Sequence, residues 1–301
     1  MAEGGRQLGV LDVGCFSAHL LVVADHGLRP VLDHKVRLRL DQALDDTARV
    51  RRKGVEQVVA AVRQSLAVAE RAGVRHIVPY ATSVLRDAPN APEVFAEIAA
   101  GTGVALHVLS GAEEARLSYL AARRWFGAGA GPLLVLDIGG GTVEVAAGDA
   151  AEPAVVGSLP YGARALTRRP VPMKVVRRQV RDLLGDVRDH RAVGCSKVFQ
   201  QLARLAGARP QRDGVAVPRS LDVTDLRRWI PRLASMPPAK RAALPGISRH
   251  RAEQAYAGAV VAETLMRATG HDEVVICPWS SREGLLLTLL DDAGNGACRV
   301  A

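Results

Sequence analysis

The run Asp137-Ile138-Gly139-Gly140-Gly141-Thr142-Val143-Glu144 sets two carboxylates and a hydroxyl around three consecutive glycines. An apolar strand delivers the first carboxylate, and residues without a Cβ let main-chain N–H groups come close to an anion. The same run could be a glycine-rich hairpin whose aspartate merely caps its own turn. A second copy argues against that. Val10-Leu11-Asp12-Val13-Gly14 recurs as Val135-Leu136-Asp137-Ile138-Gly139, 125 residues later. Five positions after each aspartate stands a hydroxyl residue, Ser17 or Thr142, followed by an apolar β-rich stretch. Two such turns, opposed across a cleft with carboxylates able to hold a divalent metal between phosphate oxygens, suit phosphoryl transfer. The chain has no GxxxxGK[ST] segment, which excludes a P-loop enzyme.

Each Asp-x-Gly turn needs two flanking strands, so one β-hairpin per domain is expected. Between the turns, periodicity predicts a helix over 54–72, a strand over 76–80, a helix over 91–100, a strand over 104–109 and a helix over 112–126. The last of these carries Glu113 and Glu114 in its first turn, after a Ser110-Gly111 turn. Residues 127–132, GAGAGP, are read as a linker that divides the chain into domains 7–127 and 128–301. In the second half, helices are expected over 177–185, 197–206, 223–236, 251–268 and 281–290, with strands over 192–195 and 273–277. Strands alternating with helices in both halves make the fold class α/β, and the last helix is a candidate to return to the first domain.

The 301 residues are 48% hydrophobic and 24% charged, the balance of a globular protein of about two domains. No stretch approaches the ~18 uninterrupted apolar residues of a spanning helix, and the opening MAEGGRQLGVLD lacks a signal-peptide layout. Four scattered cysteines, Cys15, Cys195, Cys277 and Cys298, suggest neither a disulfide framework nor a zinc knuckle. A cytoplasmic protein without a membrane partner is the expectation. Net charge is +9 and uneven, since residues 161–251 hold 21 Lys and Arg against 6 Asp and Glu. Such a block suits a polyanion, although an arginine-rich composition bias would produce it without any ligand. Aromatic residues, at 4%, are too few for a base-stacking platform, so nucleic acid is not the expected partner.

Further runs complete a pattern: Ala81-Thr82-Ser83 through Arg86-Asp87-Ala88, SGAEEARL over 110–117, Ser158-Leu159-Pro160 with Gly162, Leu244-Pro245-Gly246-Ile247 with Arg251-Ala252, and Arg282-Glu283-Gly284. With the two Asp-x-Gly turns, they make the chain resemble the exopolyphosphatase and guanosine pentaphosphate phosphohydrolase (Ppx/GppA) family over nearly its whole length. It is most similar to the short actinobacterial exopolyphosphatases, without the extra helical C-terminal domains of longer members. The resemblance implies two actin-like (ribonuclease-H-like, ASKHA superfamily) domains flanking an active-site cleft. It also implies magnesium-dependent hydrolysis of the terminal phosphoanhydride of inorganic polyphosphate, with water as nucleophile and orthophosphate as product.

By the same resemblance, Glu114 is the catalytic carboxylate that orients or deprotonates the attacking water. Asp137 and Glu144 are the Mg2+-associated carboxylates. Asp12, Gly14, Ser17, Arg86, Gly139, Gly140, Gly141, Thr142 and Ser196 bind phosphate, with Arg86 clamping the terminal group. The basic block, and not the resemblance, leads to the expectation that Arg164, Arg168, Arg169 and Lys197 form a polyanion track, and a homodimer is a candidate assembly. Without the resemblance, the Glu113-Glu114 pair would read as complementing a helix dipole and Arg86 as solvated; the 164–169 arginines are equally readable as a solvated loop.

Phe16 stands where family members usually carry a polar side chain, and Gly194-Cys195-Ser196-Lys197 replaces a glycine-rich turn, with Lys197 on the nucleotide-facing side. These departures motivate two other readings. One is hydrolysis of guanosine pentaphosphate (pppGpp), which differs only in what holds the rest of the substrate. The other is a catalytically weak protein that binds polyphosphate or a (p)ppGpp-type nucleotide. A sugar kinase would need a sugar-binding aspartate and an adenosine pocket that the sequence does not place. His19 and His76 read as packed strand residues, and Trp279 as an anchor for the last helix.

Overall fold

The computed structural model describes residues 7–24 and 27–294; residues 1–6 of the opening segment and Cys298 lie outside these. The chain divides into two compact units, one running to Ser110 and resuming at Arg282, the other spanning Gly111–Ser281.

In the first unit, β1 (Gln7–Val13), β2 (Ser17–Ala24) and β3 (Pro30–Arg37) form an antiparallel meander. After the short helix α1 (Leu40–Ala43) and the long α2 (Arg52–Arg71), β4 (His76–Ala81) joins β1 in parallel. Then come α3 (Ser83–Arg86), α4 (Ala91–Thr102) and β5 (His107–Val108), giving the sheet order β3-β2-β1-β4-β5. Side chains alternate across a strand, so β1 faces two ways. Leu11 and Val13 pack with Val55, Val58 and Val62 of α2, whereas Leu8 and Val10 pack with Tyr80 and Leu286.

The second unit begins with α5 (Gly111–Phe126) and a second meander of β6 (Leu133–Ile138), β7 (Val143–Gly148) and β8 (Val155–Leu159). It continues through α6 (Ala163–Arg168), α7 (Met173–Leu184), β9 (Arg191–Gly194), α8 (Lys197–Leu205), β10 (Ser220–Asp222), α9 (Val223–Ser235), α10 (Pro238–Arg241), α11 (Ala255–Thr269) and β11 (Glu273–Ile276). Its sheet order is β10-β11-β9-β6-β7-β8, with β9 parallel to β6 and to β11. The stretch β8-β7-β6-β9-β11 repeats the plan of the first sheet, so the echo between Asp12 and Asp137 marks two copies of one topology. The final helix, α12 (Ser281–Gly294), packs Leu286 into the first unit's core.

The expected domains 7–127 and 128–301 differ from these units at two helices, α5 and α12, of which α12 had been a candidate to return to the first domain. Ala115, Tyr119 and Ala122 of α5 pack on Leu133, Val135 and Ala146, so α5 belongs with the second sheet and the GAGAGP stretch lies inside the second unit. Three strands went unread in the sequence. Among them, β3 alternates only between exposed and half-buried positions and β10 has three residues. The helix expected over 177–185 starts at Met173 because Pro172 serves as its N-cap, and the one expected from 251 starts at Ala255 after a separate 3₁₀ turn, Arg249–Arg251.

Candidate active site

The glycine turn between β6 and β7 is held from one side. Gly139 N–H donates to Thr142 O at 2.9 Å and closes the hairpin. The carbonyls of Gly139, Gly140 and Gly141 accept from the N–H groups of Ala163, Arg164 and Gly162 at 3.0, 2.9 and 3.0 Å, and Ala165 also donates to Gly140 O. In a trans peptide the C=O and the following N–H point in opposite directions. With three successive carbonyls drawn to the start of α6, the amides of Gly140, Gly141 and Thr142 point away from it. Among the described residues, they donate to no backbone carbonyl. A Cβ on Gly140 would lie 3.2 Å from Arg164 Nη1, and this guanidinium nitrogen is buried without a hydrogen-bond partner.

Register lines up the acidic groups. Asp137 is opposite Glu144 on β7, and Glu144 is opposite Ser158 on β8. Directly opposed residues project to the same face, here the face that α5 covers. Ser118 Oγ donates to Asp137 Oδ2 at 3.2 Å, and Ser158 Oγ donates to Glu144 Oε1 at 2.8 Å. On α5, Gly111, Glu114 and Ser118 fall three and four residues apart on one stripe. Gly111 packs so closely on Ser158 that a Cβ there would overlap its hydroxyl. Glu114 is 8% exposed and Glu144 4%, whereas Glu113 points to solvent. The helix that complements its dipole with one glutamate thus buries the other toward the carboxylate row.

The first hairpin repeats the design. Gly14 N–H donates to Ser17 O at 2.9 Å, and the carbonyls of Cys15 and Phe16 accept from Leu40 and Leu38 N–H at 2.9 Å, which turns the Phe16 and Ser17 amides the other way. The Phe16 side chain itself is buried. Asp12 is opposite His19, shares the face of Leu8 and Val10, and has no hydrogen-bond partner on its buried Oδ1. Burial pushes its carboxyl up to about 6, helped by Glu283 and opposed by Arg282 and Lys35. Arg282, at the start of α12, bonds Glu283 Oε1 at 2.6 Å and meets His19 Nδ1, while His19 Nε2 meets Asp33 at 2.7 Å. Burial and the Arg282 charge lower the His19 pKa against the pull of Asp33. Burial disfavours the charged Arg282, but Glu283 and Asp12 more than offset this and keep it protonated.

A sequence model of the Ppx/GppA phosphatase family matches residues 21–293, most of the chain. The chain belongs to the Ppx/GppA phosphatase family. Exopolyphosphatase 1 of Mycobacterium tuberculosis is 39% identical over 98% of this chain and 91% of that protein. The crystal structure of an exopolyphosphatase from Cytophaga hutchinsonii superposes with a TM-score of 0.80 at 20% identity, covering 95% of this chain and 98% of that one. The Aquifex aeolicus Ppx/GppA family member gives 0.78 at 20% identity over 98% and 99%. The fold is accordingly that of the family, two actin-like α/β domains.

Within this Ppx/GppA chain, the remaining residues singled out by sequence fall into separate settings. Arg86 donates Nε to Asp87 Oδ1 at 2.8 Å and Nη1 to Leu109 O at 2.9 Å, which fixes its guanidinium in the first unit. Gly14 lies beside Thr82 and Asp12, since a Cβ there would come within 3.6 Å of Thr82 Oγ1 and 3.7 Å of Asp12 Oδ1. Ser196 is the N-cap of α8; its Oγ accepts from Phe199 N–H at 3.4 Å and Ile138 N–H at 3.2 Å, a structural use of the hydroxyl. Of the four basic residues grouped as a track, Arg164 sits on the glycine turn, Arg168 and Arg169 are exposed, and Lys197 opens α8 with Nζ on Gln200 Oε1 at 2.7 Å. Ser118 was given no role from sequence, Ser158 and Arg282 entered only as parts of motifs, and His19 was read only as a packed strand residue. Their importance comes from strand register and helix docking, which leave no local pattern. Trp279 packs edge-on against Trp125 of α5, 4.9 Å between ring centres.

Among the described residues, no three His, Cys, Asp or Glu side chains group as a self-sufficient metal cage, and no helix is long and apolar enough to cross a membrane. The paired Asp137 and Glu144 offer oxygen donors only. That suits a magnesium ion, which takes one or two carboxylates and completes its shell with water and phosphate oxygens.

Proposed function

We propose that the protein is an exopolyphosphatase that hydrolyses the terminal phosphoanhydride of inorganic polyphosphate in the cytoplasm and releases orthophosphate. The observation that carries this reading is the glycine turn, whose three carbonyls are tied to α6 so that its amides face away beside an all-oxygen acidic row. Preoriented amides bind phosphate oxygens without reorganisation at the moment of reaction. Asp137 and Glu144 would hold magnesium, which when bound offsets phosphate charge and polarises the terminal phosphoryl group.

The chain's own residues supply the rest. In the second unit, the Gly140, Gly141 and Thr142 amides and the Thr142 hydroxyl take phosphate oxygens; in the first unit, Ser17 offers a hydroxyl and Arg86, fixed by Asp87, a rigid cation. Glu114 accepts a proton from the attacking water at a carboxylate oxygen, and its burial shields that transfer from bulk solvent. Ser118 and Ser158 orient the two acidic groups by donating to them.

The deciding experiment measures phosphate release by purified protein from tripolyphosphate, long polyphosphate, guanosine pentaphosphate and ATP, each with magnesium or with chelator. Release from both polyphosphates with magnesium is expected. Release from guanosine pentaphosphate alone would make the protein an alarmone phosphohydrolase, and release from none would make it a binding protein.

A further inference from the structure

One register level of the first sheet carries a polar or titratable group on every strand. Lys35 on β3 is opposite His19 on β2, and His19 is opposite Asp12 on β1. In the parallel pairs, Asp12 partners Tyr80 on β4, and Tyr80 partners His107 on β5. Two residues earlier along β1, the same face carries Asp33, Leu21, Val10 and Val78, apolar apart from the aspartate at its edge. Leu286 of α12 packs on Val10 and Leu21. Arg282 stands one helical turn before Leu286 and so reaches the polar level, two residues short of the Gly14 turn.

Its guanidinium is clamped from two sides. Nε and Nη2 donate to Glu283 Oε1 at 3.1 and 2.6 Å, and Nη1 meets His19 Nδ1. A guanidinium has donors only, so Nδ1 is the acceptor and the ring proton sits on Nε2. There it is donated to Asp33 Oδ1 at 2.7 Å, a diagonal neighbour across the strands. A second ring proton would have to stand on Nδ1 and face the Arg282 donor, and both burial and the Arg282 charge oppose it. Asp12 Oδ1, meanwhile, is buried and takes no hydrogen bond. The charged groups that act on Asp12 from the surrounding elements are Arg282 and Glu283 of α12 and Lys35 of β3, with Arg282 the strongest of the three.

We propose that Arg282 is a positioning residue for the first turn: His19 presents its guanidinium so that Asp12 stays a carboxylate beside Gly14 while its Oδ1 is left unoccupied by the protein. The inference rests on the polyphosphate reading, in which that turn serves phosphate. A buried aspartate without a cation nearby keeps its proton at neutral pH. A direct Arg–Asp pair would prevent that but would spend the carboxylate oxygens on guanidinium N–H groups. Holding the cation on a neutral imidazole supplies the charge and spares the oxygen. Asp33 completes the device, because accepting from Nε2 fixes which ring nitrogen faces Arg282.

The test follows the His19 ring and the Asp12 carboxyl by NMR in the full chain, with Asp12→Asn assigning the carboxyl signal. In wild type the ring is expected to be neutral at pH 7 with its proton on Nε2. A ring charged at pH 7, or protonated on Nδ1 alone, would overturn the proposal. Arg282→Gln should raise the pH at which Asp12 titrates by about 1–3 pH units, the usual influence of a neighbouring arginine, and Arg282→Lys should fall between it and wild type. An unmoved Asp12 titration in Arg282→Gln would overturn the proposal as well. Should that variant fail to fold, His19→Asn, whose Oδ1 can replace Nδ1 as acceptor, is compared with His19→Leu, which has no acceptor. Asp12 should titrate higher in the leucine variant; equal titration would again overturn the proposal. Phosphate release from tripolyphosphate across pH is scored separately. In Arg282→Gln the acid limb of kcat/KM should move up with the Asp12 titration, whereas a limb left in place under a uniformly lower kcat/KM would reduce Arg282 to a structural role and overturn the proposal. No release by wild type would remove the exopolyphosphatase reading, and the NMR titrations would still decide whether Arg282 sets the charge of Asp12.

Discussion

Two adjacent glutamates on α5 have different environments, and that difference is a statement about chemistry. Glu113 is solvated near the helix start, while Glu114 is buried on the stripe that meets Asp137 and Glu144. Glu114→Gln keeps the volume and removes the proton acceptor, so kcat is expected to fall by about 10²–10⁴ with little change in polyphosphate binding. Glu113→Gln should stay near wild type; comparable turnover in both variants would dismiss Glu114 as the base. Asp12 gives a prediction of another kind. Its pKa is raised from 3.8 to about 6, first by burial, so between those values the folded state holds a proton that the unfolded state has released. Stability should therefore fall as pH rises from about 4 to about 6, by up to about 3 kcal/mol, and stay flat above. Asp12→Asn should remove that fall and be more stable than wild type at pH 7 yet less active. Urea unfolding across this range measures it, and an Asn variant no more stable at pH 7 would show that the buried carboxyl carries no penalty.

At the level of elements, the hairpin turns depend on the segments that grip them. Gly162 is the clearest case, because a Cβ there would lie 2.5 Å from the carbonyl carbons of Gly140 and Gly141. Gly162→Ala must push the phosphate-facing amides out of line, and preorganised donors lose effect when displaced by as little as ~1 Å. A fall in kcat of about a hundredfold is expected, with a stability loss of about 1–3 kcal/mol from overpacking. Crystals of the variant with an undisturbed turn, or full activity, would contradict the gripping role. The duplicated turns, the α/β alternation and the Glu114 helix were all legible in sequence because each is a local pattern. Asp-x-Gly ends a strand, and apolar periodicity marks a helix. The grip of α6 on the triple glycine was not legible, nor was Ser158 beside Glu144, since both arise from register between strands and loops distant in sequence. β3 escaped notice because its covered face is only half-buried and places His34 between Leu32 and Val36, which leaves little apolar alternation.

Across the whole molecule, the basic block is where sequence and structure weigh a charge surplus differently. Several of its arginines are structural fasteners: Arg219 binds four carbonyls, Arg241 binds Leu233 O at 2.8 Å and Glu253 O at 3.0 Å, and Arg181 binds Ala268 O at 3.3 Å. Burial lowers the Arg241 pKa, as expected for a cation used this way. Arginine count alone therefore overstates what is offered to a polyanion, and three arginines read together from sequence should behave differently. Arg164 lies on Gly140, so Arg164→Gln should lower kcat/KM for tripolyphosphate and long polyphosphate alike, by about ten- to a hundredfold. Arg168 and Arg169 are exposed and can touch only what extends beyond the turn. Changing both to Gln should leave tripolyphosphate turnover intact and act on long chains through salt. Each phosphate contact on a flexible polyanion contributes a slope of roughly −0.7 in log affinity against log salt, so losing two contacts should flatten the slope by about 1.4. A long-chain slope identical to that of wild type would mean that both side chains are merely solvated, and the surface attraction would then have to come from elsewhere in the block.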